Sequence, residues 1–123
     1  MVQHRTMLVV ADNSGAKQLQ VIHIYGGSKR SFGYLGETLK CIVKKTLPHG
    51  QFKKGDMVKV VLVRAKKEHR RVDGTYIRFS ENAGVVIDEK TKEPMGTRIF
   101  GPVAREVKDA GFAKIASLAK NVV

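Results

Sequence analysis

Apolar and β-branched residues fall in short runs, each closed by a Gly-, Pro- or Asp-rich break, which is the spacing of a small all-β sandwich or barrel. The run from Met7 to Ala11 stops at Asp12-Asn13-Ser14-Gly15, a turn in which Asn or Gly can take positive φ. A second strand is expected from Lys17 to Tyr25, ending at Gly26-Gly27. From Thr38 to Lys45 the alternation is clean: Leu39, Cys41 and Val43 share one face, Lys40 and Lys44 the other, and Ile42 is the apolar exception. Past the breaks at Pro48-His49-Gly50 and Lys53-Lys54-Gly55-Asp56, Val58, Val60 and Leu62 alternate with Lys59, Val61 and Val63. A strand apolar on both faces needs cover on both, and the C-terminal segment is the expected outer layer. Val85-Val86-Ile87 closes the strand set.

Two segments depart from this rhythm. Residues 64–79 read as a basic β-ribbon: Arg64 to Arg71 carry most of its charge, Asp73-Gly74 is a hairpin signal, and Thr75 to Phe79 form the return. Crowded cations predict a tip that stays mobile until an anionic surface orders it. Over residues 103–120 the apolar period lengthens. Val103 and Val107 lie four apart, Gly111 interrupts, and Phe112, Ile115, Ala116 and Ala119 recur at three and four. Two short helices are expected, with Pro102 near the first start and Lys114 and Ser117 facing outward from the second.

A length of 123 residues fits one domain, 1–123, and 42% hydrophobic content argues for a folded core rather than a basic tail. The formal net charge is +12, and it is regional. Residues 27–79 hold 14 Lys+Arg and 4 Asp+Glu, a balance of +10, while each flank contributes +1. A charge run is usually a solvated face. An excess of ten over 53 residues nevertheless opposes folding unless something neutralises it, so a polyanionic partner is expected. Phe32, Tyr34, Tyr76 and Phe79 could stack on bases, but aromatic content is only 7%, so recognition of backbone and shape fits better.

Catalytic and metal chemistry have little support. Neither GxxxxGK[ST] nor GxGxxG occurs, and His4, His23, His49 and His69 stand at no metal-ligand spacing. The lone Cys41 is expected mid-strand, where burial blunts a thiol. Ser14 and Ser117 lack a nucleophile-elbow context, and Glu37, Asp56 and Asp73 each border a turn, where turn formation explains them. The expectation is no enzyme, no metal and no cofactor. The N-terminus lacks a secretory layout and no apolar run nears the ~20 residues of a membrane helix, so a soluble intracellular chain is expected.

Several motifs in order carry a resemblance to a known family: Gln3-His4-Arg5-Thr6-Met7-Leu8, Val10 to Ala16, Lys53 to Asp56, Arg70-Arg71, Asp73-Gly74, Ile77-Arg78-Phe79 with Asn82-Ala83, and Gly96 to Val103. In sequence and spacing the chain resembles, end to end, the bacterial-type large-subunit ribosomal protein L-fourteen family. The resemblance implies a mainly β fold, a five-stranded β-barrel with a protruding basic ribbon and two short C-terminal helices. It implies a structural role in the large subunit on the face that meets the small subunit. The implied partners are large-subunit rRNA, small-subunit rRNA across an intersubunit bridge, the third and nineteenth large-subunit proteins, and a ribosome-silencing factor, in a cytoplasmic or organellar ribosome. By residue match, the rRNA-facing cations would come from Lys29, Arg30, Lys53, Lys54, Arg64, Lys66, Lys67, Arg70, Arg71 and Arg78, and the protein-contact surface would include Thr97, Arg98 and Lys114, beside which Ser117 is expected.

Three positions depart from the family pattern: Val60 where a small residue is usual, Glu68 where Gly is common, and Val72 where Pro usually precedes Asp-Gly. The first implies repacking inside the barrel, and the others put the path of the ribbon in question. The alternative reading is a free-standing OB- or SH3-like single-strand binder.

Overall fold

The computed structural model describes residues 1–123. Five strands close into a barrel in the order β1 (Met7–Val10), β2 (Ala16–Ile24), β3 (Thr38–Thr46), β4 (Met57–Arg64) and β7 (Ala83–Ile87). Antiparallel neighbours run from β1 through β4 to β7, and the barrel shuts where β7 lies parallel to β1, Val9 opposite Ala83. Closure leaves no long unpaired edge.

The expected strands are present with small shifts of their ends. On β3, Leu39, Cys41 and Val43 are fully buried while Lys40, Ile42 and Lys44 are half-exposed, as the alternation requires. β4 separates two cores. Val58, Val60 and Leu62 point into the barrel with Leu8, Leu19, Val21 and Val86, whereas Val61 and Val63 point outward beneath Ile99, Val103, Val107 and Ile115. The second cluster is the expected outer layer, supplied by α1 (Arg105–Asp109) and α2 (Ala113–Leu118), which flank Gly111. Burying its large residues stabilises on the order of 1.5–3 kcal/mol each, so the C-terminal segment is integral to the fold. The chain end is tied in by hydrogen bonds between Val123 and residues 103 and 105.

Val60 is accommodated by a neighbour. Gly84 lies beside it on β7, and a side chain there would collide with the Val60 methyl. The larger residue on β4 therefore occupies the space that the bare glycine leaves.

The ribbon is smaller and better held than expected. Only β5 (His69–Arg70) and β6 (Tyr76–Ile77) pair, and the base is pinned where the Phe79 amide donates to the Ala65 carbonyl at 2.9 Å. Ile77 and Phe79 pack on the barrel core rather than projecting. Val72 and Asp73 form an exposed tip, with Asp73 accepting from the Thr75 amide and hydroxyl. Val72, in place of the usual proline, meets only solvent. No helix is long and apolar enough to cross a membrane.

Candidate nucleic-acid interface

The ten cations expected to face RNA divide by what they touch. Lys29, Lys53, Lys54, Lys66, Lys67, Arg70 and Arg78 are exposed. Of these only Lys67 forms an ion pair, with its neighbour Glu68 at 2.9 Å, so Glu68 masks one lysine instead of redirecting the ribbon. Lys53 stands in a turn closed by Asp56, whose carboxylate accepts from the Lys53 amide at 2.8 Å. The turn uses the acid and leaves the ammonium free.

Arg64 corrects the expectation. It is 6% exposed, and its Nη1 donates to the carbonyls of Phe100 at 2.8 Å and Pro102 at 3.0 Å while Nη2 pairs with Glu81 at 3.0 Å. Its guanidinium is an internal clamp between β4 and the segment entering α1, and it has nothing to offer a phosphate. Arg30 and Arg71 are partly committed. Arg30 pairs with Glu37 and donates to the Tyr25 carbonyl, and Glu37 also accepts from the Tyr34 amide, so the long β2–β3 loop is stapled. Arg71 reaches Glu106 on α1 at 2.8 Å and the Val123 carbonyl, with His69 3.7 Å from the same carboxylate. The tip that self-repulsion predicts to be free thus has an internal counter-ion.

The free cations lie at both ends of the barrel. The β2–β3 loop with Lys29 and the ribbon with Lys66, Arg70 and Arg78 leave from one end, because β3 and β4 are antiparallel. Lys53 and Lys54 sit in the β3–β4 turn at the other, where the Gly55 amide donates to the Val43 carbonyl at 2.9 Å.

Thr97, Arg98, Lys114 and Ser117 are all exposed, and sequence reasoning missed what holds the first two in place. Asn13 does so from 84 residues away. Its Oδ1 accepts from the amides of Thr97 at 2.8 Å and Arg98 at 3.0 Å, and its Nδ2 donates to Thr97 Oγ1 at 3.0 Å. Gly96 is required there, since a Cβ would lie 2.6 Å from Asn13 Oδ1. Next to Asn13, buried Asp12 accepts from the Ser14 amide and hydroxyl and, through Oδ2, from the Val86 amide at 3.1 Å. Burial raises its carboxyl above the usual range, outweighing those hydrogen bonds. The Asp-Asn pair reads locally as a turn, yet it latches the β1–β2 corner to β7 and to the 96–98 loop. On α2, Lys114 approaches Glu93 at 3.4 Å with both side chains exposed, a weak pairing. Burial pushes the Cys41 thiol up to about 12, which leaves it protonated and unreactive.

The model of one family, ribosomal protein L14p/L23e, matches residues 1–123. The chain belongs to that family. It is 59% identical over 122 residues to the large ribosomal subunit protein uL14 of Petrotoga mobilis, with 99% of each chain covered. Family membership over the whole length favours the ribosomal reading over a free-standing single-strand binder. A basic barrel with internally clamped arginines and free lysines is the form this family member takes.

Proposed function

We propose that this ribosomal protein is a structural constituent of the large subunit, with 1–123 working as one domain in a cytoplasmic ribosome and no catalytic role. It binds large-subunit rRNA directly through Lys29, Lys53, Lys54, Lys66, Arg70 and Arg78. The observation that carries the reading is the absence of any ion-pair partner for these six exposed cations, in a basic region whose other three arginines, Arg30, Arg64 and Arg71, are paired. Unneutralised Lys and Arg suit phosphate oxygens, and releasing the counterions of RNA supplies the free energy.

The near-neutral C-terminal third serves macromolecular neighbours instead. Thr97, Arg98, Lys114 and Ser117 form the surface for protein partners, among them a ribosome-silencing factor and the third and nineteenth large-subunit proteins, and this side contributes to a bridge with small-subunit rRNA. Support comes from the rigid presentation of Thr97 and Arg98 by Asn13. Arg98→Glu should leave thermal melting unchanged, since the side chain is exposed, and should weaken capture of a silencing factor at least tenfold in a pull-down titration. Undiminished capture would remove Arg98 from the docking surface, and a lowered melting point would make it structural.

A further inference from the structure

The outer face of β2, β3 and β4 holds a row of basic groups that the loop and ribbon cations do not account for. Strand register sets His23 opposite Lys40 and Lys40 opposite Lys59, three basic side chains in line across three neighbouring strands. The ammonium groups of Lys40 and Lys59, like charges facing each other at the ~5 Å of a cross-strand pair, oppose sheet formation. Nothing internal neutralises them. The three strands contain no Asp or Glu, and none of these side chains forms an ion pair. The only relief within the protein is the Tyr25 ring, whose centroid lies 5.2 Å from Lys59 Nζ and which packs edge-on against His23 at 5.1 Å.

The row also stands between the two groups of free cations. Lys29 is in the loop at one end of β3 and Lys53 and Lys54 in the turn towards the other, with Lys40 on the strand between them and Lys44 beside the turn. A polyanion that touched only the two ends would leave the repelling row exposed. One that lay along the strand would neutralise it.

The geometry points to a phosphate-binding track along the β2–β4 face, with His23, Lys40, Lys44 and Lys59 joining the two ends of the barrel into one continuous RNA-backbone site. This rests on the rRNA reading above and adds a site to it. An acidic protein surface is the competing occupant. RNA is favoured because the charge runs in a line across three strands that contain no Asp or Glu, which suits a regular chain of identical anions better than a folded surface of mixed polarity.

The test uses the full chain with in-vitro transcribed large-subunit rRNA, measuring affinity against salt. The double variant Lys40→Gln with Lys59→Gln should lower the log-log salt slope by about 1.8, equivalent to roughly 60-fold weaker binding at 0.1 M salt referred to 1 M. Its melting temperature should stay level or rise, because repulsion is relieved. Lys40→Arg with Lys59→Arg should keep the slope. A second double variant, Lys53→Gln with Lys54→Gln, separates this inference from the one beneath it. If that variant loses slope while the Lys40 and Lys59 variant does not, the rRNA reading stands and the track is wrong. If neither loses slope, both fall. Unchanged RNA affinity together with loss of a neighbouring protein from reconstituted subunits would overturn the track in favour of a protein surface, and an arginine variant as weak as the glutamine one would show that charge is not the cause.

Discussion

Between residues 27 and 79 stand 14 basic and 4 acidic side chains; between 80 and 123 there are seven and six. The first region uses its few acids locally: Glu37 staples Arg30, Glu68 masks Lys67, and Asp56 and Asp73 close turns. Its two remaining partnered arginines take their counter-ions from the second region, Arg64 from Glu81 and Arg71 from Glu106. The near-neutral region therefore also supplies counter-ions to the basic one. It makes two arginines of the basic region structural, while Arg70, Arg78 and every lysine there but Lys67 stay without an ion pair. The division follows side-chain chemistry, since the planar guanidinium satisfies several internal acceptors at once while an ammonium on a flexible stem stays hydrated at the surface.

The sharpest way to break this contrast is Arg64→Met, which keeps volume and removes the clamp. Glu81 is 44% exposed, so the ion pair itself contributes little after solvent screening. The cost lies in the carbonyls of Phe100 and Pro102, left without donors at the barrel–helix junction. Together these should destabilise by about 3 kcal/mol, a drop in Tm on the order of 10 °C, with no change in the RNA salt slope of the folded protein. A normal Tm with a reduced slope would restore Arg64 to the RNA face.

A smaller effect tests how the second region is held where charge pairing is absent. Asp12→Asn puts an amide where Oδ2 accepts from Val86, and should cost about 1–3 kcal/mol in denaturant unfolding. The native state binds the Asp12 proton more tightly than the unfolded chain, because burial raises its pKa. The aspartate's contribution is therefore full below the ordinary carboxylate range and is lost as pH rises through the raised folded value. Stability measured for both proteins should show the gap narrowing from about pH 4 towards neutrality. A gap that widens would mean the hydrogen bonds to Asp12 dominate its burial.

The barrel was legible because period-two alternation is a local property: Leu39, Cys41 and Val43 announce their face, and the doubly apolar β4 announces a second layer before any helix is placed. Partners distant in sequence were not legible. The sign of Arg64 says nothing about carbonyls 36 and 38 residues away, and Asn13 looks like a turn former until the donors to its Oδ1 are found in the 97–98 amides. The ribbon was overestimated for a related reason, as the apolar Ile77 and Phe79 pack down onto the core and shorten the ladder. The His23-Lys40-Lys59 row needed strand register, which composition cannot supply.

The finest test lies between two adjacent residues that sequence treats alike. Arg70 and Arg71 stand side by side in the ribbon, but Arg70 is exposed without an ion pair, whereas Arg71 is half-buried on Glu106 and the Val123 carbonyl. Arg71→Gln should lower stability by about 1 kcal/mol through the loosened ribbon and chain end, and should leave the RNA salt slope intact. Arg70→Gln should do the reverse, holding stability within about 0.5 kcal/mol and lowering the slope by roughly 0.9, the signature of one lost phosphate contact. Equal slopes for the two variants would mean that RNA pulls Arg71 away from Glu106 on binding. The internal counter-ion would then hold the ribbon only until assembly, and the line between structural and ligand-facing cations would move by one residue.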